Sequence, residues 1–201
     1  MSHFDPNIQE KQIDAKIVAA LERLSEAFRI GLWEKSKATG LSPIQIQLLI
    51  YLAYHQDELC KVSNLALEFN LTKATISEAV RKLLAKKLVK KETDQLDSRS
   101  YVLHLTAKGK KAVDQTADFS DHIATPLKIM TPGEKLNFYQ TLYRMVDYLH
   151  QSGIIQLQRM CFACRFYNPG HKGHEHFCNF LDKSLQTKSL RVDCPEFEAE
   201  E

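Results

Sequence analysis

Four cysteines near the C-terminal end are the residues with the most chemical potential. Cys161-x-x-Cys164, Cys178 and Cys194 are separated by 2, 13 and 15 residues. Two thiols two residues apart share one turn, as chelation requires, and two single cysteines at moderate range complete a tetrahedral set. Structural zinc sites most often use two Cys-x-x-Cys hairpins, and only one is present. One pair plus two separated cysteines, the last followed by Pro195, is closer to iron–sulfur ligation. The pattern therefore predicts an iron–sulfur cluster first, Zn2+ as the alternative and a metal-free thiol switch third. His171, His174 and His176 lie inside the set, and one of them replacing a cysteine stays open, although a glycine-flanked histidine loop ordinarily faces solvent. Phe162, Phe166, Tyr167 and Phe177 are placed to shield such a centre. A segment of about 45 residues builds little core unaided, so a metal staple is physically motivated. Two periodicities suggest how it folds. Leu190, Val192 and Cys194 share strand parity, and Phe177, Phe180, Leu181 and Leu185 form one helical stripe beside Cys178. Cys60 stands apart and reads as a small core residue.

A second group of residues offers charge rather than coordination. From Lys61 to Lys111 there are 12 Lys/Arg against 5 Asp/Glu, while the whole chain carries only +2. A basic middle in a near-neutral chain is the electrostatic footprint of a nucleic-acid face. Thr72, Lys73, Ala74, Thr75, Ser77, Arg81 and Lys82 fall on the outer face of one predicted helix. Its small residues permit close approach to base edges, and Thr75 or Ala74 suits a thymine methyl. Arg81 and Lys82 suit phosphate or guanine. Lys86, Lys87, Lys90 and Lys91 extend the positive surface, and Arg99 is long enough to enter a minor groove, with Asp97 orienting it. Glu196 to Glu201 holds four glutamates and reads as a solvated acidic tail.

The elements that must position these residues follow from spacing and caps. Asp14 to Lys37 reads as a long amphipathic helix with Ile17, Leu21, Leu24, Phe28 and Leu32 on one stripe. Ser42-Pro43 opens a second, with Ile46, Leu49, Ile50 and Ala53 inward. Val62 to Phe69 is a short helix burying Leu65, Ala66 and Phe69. Thr72 caps the next, whose buried stripe is Ile76, Val80, Leu83 and Leu84. Val89–Thr93 and Tyr101–Leu105 read as strands joined by a polar loop. Thr106 caps a long helix running through Val113, Phe119 and Ile123, ended or kinked by Pro126. Thr131-Pro132-x-Glu134 is a capping box for a last helix that Gly153 terminates.

Helix, second helix, two strands around Asp97-Ser98-Arg99, and then Leu105-Thr106-x-x-Gly109 is the order of parts in a winged helix-turn-helix. The chain resembles the MarR family of bacterial winged-helix regulators. Leu41-Ser42-Pro43-Ile44-Gln45, Leu65-Ala66, Thr72 to Ser77, Asp97 to Ser100 and Leu103 to Gly109 carry the resemblance, over about residues 14–153. It implies a homodimer with interleaved first and last helices, gripping a near-palindromic operator in double-stranded DNA. The Leu21/Leu24/Phe28 and Leu142/Tyr143/Val146 stripes agree with such a partner. Members typically end near the position of Gly153, and this chain continues.

The fold expected is mainly α with a small β-hairpin wing, organised as an N-terminal dimerisation helix (1–40), a winged helix-turn-helix (41–112), C-terminal dimerisation helices (113–153) and a four-cysteine module with acidic tail (154–201). Apolar and charged fractions of 44% and 26% exclude a disordered chain. No apolar run of about 18 residues is present, so no membrane span is expected, and the polar N-terminus lacks the apolar stretch of a signal peptide. The expected location is the cytoplasm. No nucleophile–base pair, carboxylate pair or phosphate loop is visible, so a DNA-binding regulator that senses redox or metal status is expected rather than an enzyme.

Overall fold

The computed structural model describes residues 2–93, 100–155 and 159–199. Its helices are α1 (Pro6–Lys11), α2 (Ile13–Thr39), α3 (Pro43–Tyr54), α4 (Val62–Glu68), α5 (Lys73–Ala85), α6 (Ala107–Asp114), α7 (Asp121–Leu127) and α8 (Pro132–Gln151). Strands β1 (Val89–Thr93) and β2 (Tyr101–Leu105) form one two-stranded sheet, and β3 (His176–Cys178) and β4 (Lys183–Leu185) form another. The mainly helical class with a small hairpin is as the sequence predicts. The wing tip, including Asp97 and Arg99, lies outside the described residues. Contacts divide the chain into two compact units, Met1–Ala53 with Leu83–Lys90 and Leu105–Ile129, and Tyr54–Lys82 with Lys91–His104 and Met130–Glu201.

In the first unit α2 buries only Ala15, Gly31 and Leu32. Ile17, Leu24, Phe28 and Trp33 stay exposed, so the predicted stripe is not consumed by the chain's own core. Helix α3 differs from the one-sided reading. Leu48, Tyr51 and Leu52 are buried along with Ile46 and Leu49, whereas Ala53 is exposed. A helix apolar nearly all round is a core element, and no single stripe describes it. Ser42 and Gln45 cap its start reciprocally, the Ser42 N–H donating to Gln45 Oε1 at 2.9 Å. The long helix expected after Thr106 is broken into α6, a 3-10 turn over Ala117–Ser120 and α7. The buried Thr116 hydroxyl donates to the Ala112 carbonyl at 2.8 Å and its N–H bonds only three residues back. That local competition ends the α pattern. The break sets the Phe119 carbonyl where a Cβ on Gly31 would fall, and Lys35 pairs with Asp118 at 2.6 Å. Pro126 sits one residue before the end of α7.

In the second unit the predicted capping box at α8 is complete. Glu134 N–H donates to Thr131 Oγ1 and the Thr131 N–H donates to Glu134 Oε2 at 2.8 Å. Tyr143 is not on a free helix face. It is buried with Met160 and Leu190, and Tyr139, Val146 and Phe162 pack around them. The Tyr139 hydroxyl donates to the Leu190 carbonyl at 2.6 Å, and the Tyr143 hydroxyl accepts from the Phe162 N–H. The segment after Gly153 therefore covers part of the stripe that the sequence assigned to a dimer partner. The helical stripe expected around Cys178 is instead a hairpin, with His176 opposite Leu185 and Cys178 opposite Lys183. Asp182 at φ +44° turns the chain. No strand forms over 190–194, and Val192 is exposed while Leu190 is buried. No described helix is long and apolar enough to cross a membrane.

Candidate nucleic-acid interface and thiol pocket

Helix α5 has two unlike faces. Ile76, Ala79, Val80 and Leu83 are buried. Thr72, Lys73, Ala74, Thr75, Ser77, Arg81 and Lys82 are all exposed, as predicted, because polar and small residues occupy the complementary helical positions. The Thr72 hydroxyl accepts from the Thr75 N–H at 3.1 Å and lies 2.8 Å from the Thr75 hydroxyl, fixing the first turn. Its first-turn N–H groups point outward from an end without acidic residues, which favours an anion there. Further along, Glu78 is held by Arg81 at 2.7 Å and Lys82 at 3.5 Å. Hydrogen bonding from Arg81 holds the Glu78 carboxyl below its ordinary range. The Arg81 side chain is nevertheless 75% exposed, so this pair is weak and exchangeable.

Lys90 and Lys91 are exposed on β1, and Lys91 Nζ stands 3.8 Å over the Tyr101 ring. Lys86 is exposed as well, and its ammonium donates to the Gly40 carbonyl at 2.6 Å, closing the end of α2. Arg99 falls outside the described residues.

All four cysteines of the C-terminal segment, Cys161, Cys164, Cys178 and Cys194, line one pocket, walled by Phe166, Tyr167, Phe180, Leu181 and Leu185. They arrive from three stretches of backbone. A 3-10 turn carries Cys161, Cys164 bridges to Ala199, and Cys178 ends β3 and bridges to Tyr167. The Cys194 N–H donates to the Arg159 carbonyl at 2.9 Å. All are free thiols. Among the described residues no three His, Cys, Asp or Glu side chains are drawn to metal-holding distance, so the sulfurs share a pocket without yet sharing a centre. Burial pushes the Cys161 thiol up, reinforced by Cys164 and Cys178 and opposed by the Arg191 N–H, which donates to its sulfur at 3.3 Å. Burial also pushes Cys194 up. The Cys194 thiol donates to Glu196 Oε2 at 3.3 Å, and Arg191 pairs with the same carboxylate at 2.8 Å. Glu198 pairs with Arg165 at 2.7 Å. The start of the acidic tail is thus built into the module and is not a solvated fringe.

The histidines do not join the pocket. His176 is buried, contrary to the exposed loop expected. The Tyr167 hydroxyl, pushed up to about 12 mainly by burial, lies 2.7 Å from His176 Nδ1. His176 Nε2 lies 3.6 Å from Glu175, so both ring nitrogens face partners outside the thiol pocket. His171 packs on Phe177 with centroids 4.5 Å apart, and His174 stacks on the same ring.

Sequence reasoning missed an ionic cluster around a buried arginine. Arg159 is 7% exposed. Its guanidinium donates to Glu68 Oε2 and Asp193 Oδ1, both at 2.8 Å. His55 Nε2 donates to Asp193 Oδ2 at 2.7 Å, so its 3.3 Å approach to Arg159 Nη2 is a contact and not a second donation. Burial opposes ionisation of Asp193, but hydrogen bonds from Arg159 and His55 hold its carboxyl below the ordinary range.

Residues 39–100 match the MarR family. The likeness extends to solved structures. A DNA complex of S. aureus MepR is 24% identical, with a TM-score of 0.57 over 66% of this chain and 97% of that one. A MarR transcriptional regulator from Methanosarcina mazei Go1 is 22% identical, with a TM-score of 0.55 over 66% and 94%. A MepR mutant from a multidrug resistant S. aureus clinical isolate is 23% identical, with a TM-score of 0.54 over 66% and 96%. These likenesses show the fold, and the matched family segment contains α3, α4, α5 and β1. None of the curated proteins compared matches the chain.

Proposed function

We propose that the protein is a homodimeric, sequence-specific DNA-binding transcription regulator of the MarR type. The observation that carries this reading is the outer face of α5, where small residues and cations stand together on a helix whose other face is buried. Ala74, Thr75 and Ser77 sit where a recognition helix approaches base edges, and Lys73, Arg81 and Lys82 flank them toward phosphate. MepR, whose DNA complex has the same fold, supports the assignment. The uncovered apolar residues of α2 support a twofold partner, which would set two α5 helices at half-sites about 34–36 Å apart. The test is a gel-shift titration against duplexes enriched from a random-sequence pool. Retention at low ionic strength that falls steeply with salt is expected, and no duplex affinity at low salt would overturn the reading.

The C-terminal pocket is assigned a metal centre held by Cys161, Cys164, Cys178 and Cys194, an iron–sulfur cluster in preference to zinc. Four soft thiols with apolar walls suit either. The single Cys-x-x-Cys and the Cys194-Pro195 ending favour the cluster, which when bound supplies a reversible one-electron change. The chain's own residues prepare the site. The Arg191 N–H and guanidinium direct hydrogen bonds at the sulfurs of Cys161 and Cys194, stabilising thiolates, while Phe166, Tyr167 and Phe180 exclude water. The small core of Tyr143, Met160 and Leu190 beside the pocket keeps a purely structural zinc staple as the second reading. Purification without oxygen separates them. A brown protein with visible absorption marks the cluster, and a colourless one with one zinc per chain marks the staple.

A further inference from the structure

Within the second compact unit, Arg159 touches both the backbone of Cys194 in the pocket wall and the end of α4. Arg159 holds three things at once. Its carbonyl accepts the N–H of Cys194, its Nε binds the carboxylate of Asp193 beside that cysteine, and its Nη1 binds Glu68. Glu68 is the last residue of α4, and α5 begins at Lys73 after a turn through Asn70 at φ +49°. Two residues beyond Arg159 stands Cys161, whose N–H donates to the carbonyl of Arg191, three residues before Cys194. Among the described residues no three His, Cys, Asp or Glu side chains are grouped to hold a metal here, so loading the pocket would rearrange the thiols of Cys161 and Cys194 that line it. Arg159 lies two residues before Cys161 and Asp193 is adjacent to Cys194, so a rearrangement there reaches the pairs that hold Glu68.

We propose that Arg159 is the coupling residue of this protein, transmitting occupancy of the four-thiol pocket to the α4–α5 turn through Asp193 and Glu68. The inference rests on the metal-centre reading of the pocket. A buried guanidinium with two carboxylates is suited to the task because its planar fork fixes the direction of both partners. Were it an ordinary stabilising pair, Glu68 would respond no more to the pocket than any other residue of α4.

The test uses the full chain, loaded with Zn2+ or with ferrous iron and sulfide without oxygen, and then stripped by chelation. Hydrogen exchange of residues 62–82 is followed with metal content per chain. In the wild type, loading should change exchange in α4 and the first turns of α5 by severalfold. Glu68→Gln and Arg159→Lys, whose point charge cannot span both carboxylates, should bind the same metal per chain yet lose that response. An undiminished response in both variants, or a loaded wild type whose α4–α5 exchange does not change, overturns the coupling while leaving the metal centre standing. Uptake of neither metal overturns both. The readout contains no DNA, so failure of the DNA-binding reading is seen separately in the gel shift.

Discussion

At the scale of single residues, α5 shows how an acidic side chain tunes a basic face. Glu78 pairs with Arg81 and Lys82, partly offsetting their charge, and a phosphate bound there would compete with it. Arg81→Ala or Lys73→Ala should weaken binding to all duplexes alike and lower the slope of log affinity against log salt by about 1. Glu78→Gln should act oppositely, raising affinity a few-fold without changing sequence preference. Salt titrations of the three variants against selected and scrambled duplexes check both signs. Cys60 is a different case. Burial first, then Asp57 and Glu58, push its thiol up to about 11, and the Cys60 carbonyl accepts the Leu103 N–H at 2.9 Å. Because the neutral thiol persists until pH approaches that value, alkylation of Cys60 in the folded chain should stay slow at pH 8. Mass spectrometry after iodoacetamide treatment should find it modified only on unfolding. Rapid labelling at pH 8 would instead mark Cys60 as a reactive thiol.

At the scale of elements, close backbone approach replaces side-chain packing at two glycines. A Cβ on Gly109 would collide with the Leu88 carbonyl, and one on Gly31 with the Phe119 carbonyl. Neither obstacle is the end of a flexible side chain, so relief requires moving backbone. Gly109→Ala and Gly31→Ala should each cost about 1–3 kcal/mol or more, read as lost thermal stability, whereas Gly133→Ala, which meets nothing, should not. The same elements show what sequence can carry. Caps and alternation placed β1, β2, α5 and the start of α8 because each is written locally, in Thr72, Thr131-Pro132-x-Glu134 and short apolar runs. The break at Thr116 was not legible, since a buried threonine bonding back to Ala112 looks like any helical threonine. The hairpin at β3 and β4 differs from the expected helix because Phe177, Leu181 and Leu185, four residues apart, satisfy both periods. The four thiols were legible as a set by type and spacing. Arg159 was not, for its burial depends on His55, Glu68 and Asp193, far away in the chain.

At the scale of the whole molecule, the C-terminal extension belongs to the same compact unit as α4 and most of α5. The sequence alone suggests that removing residues after Gly153 leaves a regulator that has merely lost its sensor. The structure gives another expectation. Truncation would uncover Tyr143, Tyr139 and Val146 and leave Glu68 without the guanidinium that neutralises it. Exposing an apolar side chain as buried as Tyr143 costs about 1.5–3 kcal/mol, while Glu68, already 24% exposed, returns to solvent and adds little. At roughly 2–4 °C per kcal/mol for a chain of this size, the truncated protein should melt several degrees lower. Replacing Cys161, Cys164, Cys178 and Cys194 together by serine removes all four thiols of the pocket yet keeps Arg159, Asp193 and the aromatic core. If packing holds the module, the serine variant should melt close to the metal-free wild type and well above the truncation, as calorimetry on the three proteins would show. Three equal melting temperatures would mean that the Tyr143–Met160–Leu190 core does not by itself hold the extension against α8.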